Sequence, residues 1–225
     1  MTELLELAGL GAGYDGQSVC GSISVALQPG EGLALVGSNG SGKSTVLRTV
    51  MGRLAPVLGR VLAFGEPVDD RSIEFRRRVV GVFDDDAFFP SLSVAEHLAL
   101  VATGHAVPDP EQAVADELDF FGLTSVRSAL PSRLSSGQRR RVLLAAAFIR
   151  PSSIMCLDEP EQRLDAVMRR RLIDRLQSRR AEGAVIVTAT HDADFVSGCA
   201  DTVVVVSDEI RQFGSGDGAA ALGAL

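Results

Sequence analysis

At 225 residues, with a net charge of −7 and 46% hydrophobic residues, the chain has the size and composition of one globular domain with a substantial core. The acidic balance argues against a dedicated nucleic-acid surface, and no apolar run approaches the ~18–20 residues that span a bilayer. Glu3 and Glu6 at an N-terminus without a basic start argue against a signal peptide, and Cys20, Cys156 and Cys199 read as small buried hydrophobes, not disulfides or metal ligands.

Residues 1–30 read as short strands and glycine-rich turns, with Ile23-Ser24-Val25-Ala26-Leu27 alternating as a half-buried strand. Tyr14, the only tyrosine, lies among Gly11, Gly13 and Gly16. Its flat ring either stacks on a base or packs at a strand end. Next comes the apolar run Leu33-Ala34-Leu35-Val36, and then Gly37-Ser38-Asn39-Gly40-Ser41-Gly42-Lys43-Ser44-Thr45. Apolar residues at Val46, Leu47, Val50, Met51 and Leu54 follow with helical spacing. A glycine-rich turn between a buried strand and a helix start is a phosphate cradle: its N–H groups curl inward and the helix dipole adds positive potential. The full G-x-x-x-x-G-K-[ST] pattern in that context assigns Lys43 to the β- and γ-phosphates and the Ser44 hydroxyl to Mg²⁺. Lys43 is also the only lysine in the chain.

Residues 59–64 suggest a further strand, and Val79-Val80-Gly81-Val82-Phe83 a buried one that ends in Asp84-Asp85-Asp86. From Ser91 to about Arg150 the pattern is helical. Ser93 with Glu96 three residues on forms a capping box, Pro108 and Pro110 interrupt, and residues 113–121 carry another helical stripe. His97 and His105 fall here without partner motifs and read as surface or packing residues. The arginine triplets at 76–78, 139–141 and 169–171 read as solvated helix faces or partner contacts. In Leu134-Ser135-Ser136-Gly137-Gln138, either serine can cap the helix that follows, leaving N–H groups for a second anion. One nucleotide cannot easily use both anion-binding ends of one subunit.

Ile154-Met155-Cys156-Leu157 reads as a buried parallel strand ending in Asp158-Glu159-Pro160. A carboxylate at a strand's C-terminal edge suits a phosphate-bound Mg²⁺, the role expected for Asp158. Glu159 is then placed to polarise a water attacking the γ-phosphate. Residues 169–180 form an amphipathic helix, and 184–187 a strand running into His191, which could donate a hydrogen bond to the γ-phosphate. Residues 202–207 are a last strand, and the chain from 214 onward a loose tail.

With these pieces in order, the sequence resembles the nucleotide-binding domain of ABC transporters over roughly residues 7–216. Residues 37–45 match the Walker A loop, 154–159 the Walker B strand with its adjacent glutamate, and 134–138 the LSGGQ signature. Asp165 in Arg163-Leu164-Asp165 matches the D-loop aspartate, His191 the switch histidine, and Tyr14 the adenine-stacking aromatic. The resemblance implies an α/β P-loop NTPase: a RecA-like parallel-sheet core with a small antiparallel β lobe and a helical lobe. As a single domain over 1–225, its core lobe would cover about 1–85 and 151–216, the helical lobe about 86–150, and the tail 217–225. It implies ATP with Mg²⁺ held by Ser44, Asp158 and Asp84, and catalysis by Glu159, His191 and Lys43. It also implies a second nucleotide-binding domain, identical or not, whose Ser135, Ser136, Gly137 and Gln138 cap the nucleotide in trans. A separate transmembrane permease subunit would hold the chain at the cytoplasmic face of the membrane.

Two departures stand out. Asp84 occupies the position of the family's hinge glutamine, and Ser136 replaces the first glycine of the signature. The leading expectation is a transporter ATPase. The alternatives are a soluble ABC-type ATPase acting on ribosomes or DNA, and a nucleotide-gated regulator that binds ATP but scarcely hydrolyses it.

Overall fold

The computed structural model describes residues 3–84 and 87–214; residues 215–225, where the tail is expected, and Asp85 and Asp86 lie outside the described residues. The described chain divides into two compact units. The first holds residues up to 81, 152–160 and those from 171 on; the second holds 82–151 and 161–170. Residues 161–170 thus belong with the helical unit, not with the core lobe to which sequence order alone assigns them.

The first unit begins with β1 (Leu5–Gly11), the short hairpin β2 (Gly13–Tyr14) and β3 (Gln17–Ser18), and β4 (Ile23–Leu27). The alternation of β4 is realised: Ile23, Val25 and Leu27 are buried and the residues between them exposed. With β6 (Leu58–Ala63) and β7 (Glu66–Pro67), β1 and β4 make an antiparallel sheet in the order β4-β1-β6-β7. The second sheet has the order β12-β11-β5-β10-β9-β8, from β5 (Gly32–Val36), β8 (Val79–Val82), β9 (Ile154–Asp158), β10 (Val185–Ala189), β11 (Thr202–Val205) and β12 (Arg211–Gly214). Strand β10 runs parallel to both β5 and β9, and β11 runs parallel to β5.

Every residue of β5 and β10 is buried, as expected for parallel strands covered on both faces. Helix α1 (Lys43–Val50) packs against β9 and β10, and the short helix α2 (Ile73–Arg78) leads into β8. Ala34 and Val36, two residues apart and so on one face, meet Val196 and Ala200 at the helix Ala193–Cys199, together with Val203 and Val205. Burying each of these valines is worth about 1.5–3 kcal/mol. Cys156 sits in the middle of β9, where burial pushes its thiol up to about 12, in line with the expected inert cysteine.

The strand expected over 202–207 ends at Val205 and returns as β12. That edge strand is largely exposed and polar, so it carries no apolar alternation by which to recognise it.

The second unit is built on α3 (Val94–Gly104), α4 (Pro110–Phe120) and α5 (Ser136–Phe148), which pack on one another. The expected capping box is present: Glu96 N donates to Ser93 Oγ at 3.4 Å, and Ser93 N donates to Glu96 Oε2 at 2.8 Å. Phe121, fully buried, packs against Phe148 with ring centroids 6.1 Å apart. His97 is a packing residue, edge-on to Phe88 at 5.6 Å, and burial lowers its pKa.

The triplet 139–141 is not a solvated face. Arg140 is buried and donates to the Phe83 carbonyl at 3.0 Å, and Arg141 pairs with Asp165 at 3.6 Å. Three consecutive helical positions point in three directions about 100° apart. One of them must therefore face the packed side, where a carbonyl at a strand end accepts the guanidinium.

Strand β5 is anchored at its start by Asp201, whose carboxylate accepts from Gly32 N at 2.8 Å and from the Arg180 guanidinium. A Cβ added at Gly32 would lie 1.8 Å from the Cys199 carbonyl oxygen. Gly32→Ala is expected to cost about 2 kcal/mol or more through overpacking and to lower the thermal midpoint by ~4–8 °C. Differential scanning calorimetry of the two proteins checks it.

Candidate active site

The parallel register sets the site. Leu35 and Asp158 both lie level with Ala189, so the C-terminal ends of β5, β10 and β9 stand abreast. With strands about 4.8 Å apart, the turn after β5 and the carboxylates after β9 flank the end of β10 at roughly 10 Å from each other.

The turn after β5 is shaped by its glycines. Gly40 and Gly42 have φ of 82° and 103°, a region that side chains rarely adopt. A Cβ on Gly37 would meet the Val206 carbonyl at 2.6 Å and Ser41 Oγ at 2.7 Å; one on Gly42 would meet Val19 Cγ2 at 2.7 Å. Gly42 caps α1 with no side-chain hydrogen bond, so the helix start keeps its N–H groups for a ligand. Lys43 is buried and its Nζ donates to the carbonyls of Gly37 and Ser38, both at 2.9 Å. An ammonium has three donors, so two hold the loop's shape and the third is available to a phosphate oxygen. Ser41 Oγ is buried without a hydrogen-bond partner among the described residues. An open helix start, a buried lysine and an orphaned hydroxyl, in a turn where Gly37 and Gly42 leave no room for a side chain, fit a polyphosphate. Ser38, Asn39 and Gly40 are exposed on the rim, with Ser44 and Thr45 half-buried in the first helical turn.

On the other side, Asp158 is the last residue of β9. Glu159 follows in a left-handed conformation, φ 45°, with its N–H donating to the Ala189 carbonyl at 2.8 Å. That backbone state costs on the order of 1–3 kcal/mol and persists only where the surroundings enforce it. His191 Nδ1 lies 3.7 Å from Glu159 Oε1, too far for a hydrogen bond and close enough for an ion pair when the imidazole is protonated. Glu159 is the more buried of the two, with 18% of its side chain exposed against 61% for His191. The histidine sits in a fixed bend: Asp192 N donates to Thr190 Oγ1 at 3.0 Å, and the Asp192 carboxylate caps the following helix.

Tyr14 lies on the β2–β3 hairpin opposite Gln17 and is 48% exposed, so its ring is not packed into the core. Sequence reasoning missed Val19. This exposed valine leaves the same hairpin and rests its methyl group against the start of α1. An apolar residue stranded in a polar turn was the only signal for it.

The remaining candidates lie in the second unit. Ser135 is the cap of α5: Gln138 N donates to its Oγ at 3.2 Å and Gln138 Oε1 accepts from Ser135 N at 2.9 Å. Ser136 is exposed beside it, and a Cβ on Gly137 would lie 2.8 Å from the Arg163 carbonyl. Asp165 accepts from Met168 N at 2.8 Å at the start of the helix Ala166–Ala181. Asp84, expected at the metal, has its carboxylate engaged by the Arg163 guanidinium at 2.9 and 3.1 Å. A metal role would require it to share or give up that cation.

Comparison with known proteins places these features in context. Residues 20–162 match a family model described as ABC transporter. An uncharacterized ABC transporter ATP-binding protein of Sinorhizobium fredii is 34% identical over 95% of this chain, which spans 64% of that relative's length. The solved ATP-binding subunit of an ABC transporter superposes with a TM-score of 0.83 at 28% identity, covering 91% of this chain and 86% of its own. The cbiO1 protein of Clostridium perfringens, part of the ABC transporter complex cbiONQ, superposes with a TM-score of 0.77 at 28% identity, covering 96% and 90%.

Gly42→Ala combines a strained φ with a clash against Val19, and an expected cost of about 1–3 kcal/mol comes from the backbone alone. Adding Val19→Ala should recover only the part due to the clash. Chemical denaturation of the single and double variants separates the two.

Proposed function

Because the chain belongs to the ABC transporter family and carries that family's P-loop ATPase domain, we propose that it binds and hydrolyses ATP as the motor subunit of a transporter. It closes head to tail with a second such domain to drive a separate membrane permease. The observation that carries this reading is the level register of β5, β10 and β9, which gathers the phosphate turn, Asp158, Glu159 and His191 at one sheet edge.

The roles follow from the chemistry of each group. The turn from Gly37 to Gly42 wraps the β-phosphate with N–H donors, and Lys43 turns its remaining donor to the β- and γ-phosphates. Tyr14, supported by its exposure, offers a face for the adenine. Ser44 and Asp158 would hold Mg²⁺, which would supply charge neutralisation at the phosphates. Glu159 accepts the proton of the attacking water, and its shielding from solvent keeps the carboxylate directed at one position. His191 donates to the developing charge on the γ-phosphate.

Two helix starts can each take an anion: α1 behind Gly42 and α5 behind Ser135. This supports a nucleotide shared between two copies, or between this chain and a related one, with Ser135, Ser136, Gly137 and Gln138 reaching across and Asp165 at the facing loop. Among the described residues no helix is long and apolar enough to cross a membrane. Attachment through a permease supplies the membrane side of the reading, and the Clostridium neighbour's place in a transporter complex supports it.

The test is turnover by the purified chain. Wild type should release phosphate from ATP in the presence of Mg²⁺. Glu159→Gln should bind nucleotide normally but turn over 10²–10⁴-fold more slowly, roughly the range of a lost general base. Lys43→Ala should lose binding itself. Equal phosphate release by wild type and Glu159→Gln would overturn the motor reading and favour a nucleotide-gated regulator.

A further inference from the structure

Stacking holds a base without identifying it, because every base presents a π-face. A ring such as Tyr14 therefore supplies grip and no choice between purines. Choice needs a polar group level with the edge of the stacked base, and the hairpin that carries Tyr14 is built to put one there.

The two residues between the hairpin strands are Asp15 and Gly16, at φ 51° and 78°. Positive φ at both central positions is the type I′ turn, for which Asp-Gly is a favoured pair. That turn sets the register: Gly13 stands opposite Ser18, and Tyr14 opposite Gln17. Directly opposed residues project from one face, with Cβ atoms about 4.5–5.5 Å apart. Gln17 is exposed, as Tyr14 is, and among the described residues its side-chain amide makes no hydrogen bond.

The hairpin is also tied down. Val19 N donates to the Ala12 carbonyl at 2.8 Å, and Ser18 Oγ donates to the Cys20 carbonyl at 2.6 Å. Its strands approach so closely that a Cβ on Gly13 would lie 1.8 Å from the Gln17 carbonyl oxygen. Val19, two residues past Gln17, rests against Gly42 at the start of α1, and all of these residues belong to the first compact unit. The base platform and the phosphate turn are thus parts of one body. With Ser18 engaged by backbone, the polar side chains left on the hairpin are Asp15 at its tip and Gln17, and it is Gln17 that stands opposite Tyr14.

We propose that Gln17 is a specificity-determining residue for the nucleotide: its amide reads the substituent at position 6 of a purine stacked on Tyr14. Adenine carries an amine there, a donor, and guanine a carbonyl, an acceptor. A glutamine amide has both an acceptor oxygen and a donor nitrogen, and rotation about its last bond offers either one to the base. The chain therefore accepts both purines with a narrow preference, and a side chain that is only an acceptor or only a donor at this position turns it into a selective one.

The inference rests on the nucleotide reading above, and the experiment separates their failures. Dissociation constants with Mg²⁺ are measured for ATP, GTP and the 6-dimethylamino analogue of ATP, by displacement of methylanthraniloyl-ATP from the full chain. The proteins are wild type, Gln17→Ala, Gln17→Glu, Gln17→Arg, Tyr14→Ala and Asp15→Asn. The readout is the ratio between nucleotides, because a charge placed near a triphosphate shifts all of them together. Wild type should separate ATP from GTP by less than about tenfold, the worth of one hydrogen bond. Gln17→Glu, an acceptor only, should widen the preference for ATP by about tenfold, and Gln17→Arg, a donor only, should reverse it. Wild type should bind the dimethylamino analogue about three- to tenfold more weakly than ATP, a difference that Gln17→Ala should erase. Tyr14→Ala should weaken ATP and GTP alike by about tenfold or more. Asparagine tolerates the left-handed turn, so Asp15→Asn should leave every ratio unchanged. Ratios that stay constant across the three Gln17 variants overturn this inference alone, and so does a ratio that moves in Asp15→Asn. An unchanged affinity in Tyr14→Ala removes the platform and the role of Gln17 with it. A wild-type chain that binds no ATP overturns the nucleotide reading as well.

Discussion

The register between three parallel strands is the constraint on which the rest depends. Ala189 is level with Leu35 on one side and Asp158 on the other, and those pairings are fixed by backbone hydrogen bonds in the buried sheet. A slip of one residue would turn every side chain of a strand to the opposite face. With all of β5 and β10 buried, no such slip is tolerated. Sheet packing therefore sets the distance between the phosphate turn and the acid that follows β9. The glycines, Lys43 and the helix start of α1 refine one end of that fixed frame; Glu159 and His191 refine the other.

The site is rigid where it would meet phosphate and strained where it would meet water. In the turn, Lys43 spends two hydrogen bonds on its own loop, so the cradle keeps its form before any ligand arrives. Preorganised donors of this kind are effective because they need not reorient as charge develops. At the other end, a non-glycine residue is held at positive φ between a strand and a proline. The tension there is local, and it falls on the residue whose small displacement matters most.

Much of this was legible in the sequence because its signals are local. The phosphate turn is contiguous, the Ser93–Glu96 box spans four residues, and the strand before Asp158 is a continuous apolar run bounded by a proline. Each is decided by neighbours along the chain. What escaped is decided by distant ones. Arg140 reads like its solvated neighbours until the helix turns it toward the Phe83 carbonyl, 57 positions away. The grip of Arg163 on Asp84 joins residues 79 apart, and neither has a sequence context that announces the other. Val19 and β12 are short and unpatterned, so only packing reveals them. The assignment of 161–170 to the helical unit escaped for the same reason: covalent order places it after the Walker B strand, and non-covalent contacts claim it for another body.

The solitary lysine has a practical corollary. With every other fixed side-chain cation an arginine, the protein offers acylating reagents one ε-amine, and that amine is tucked between two carbonyls of the phosphate turn. Covalent labelling of that nitrogen would then act as a gauge of how often the turn loosens, with no second ε-amine to share the signal.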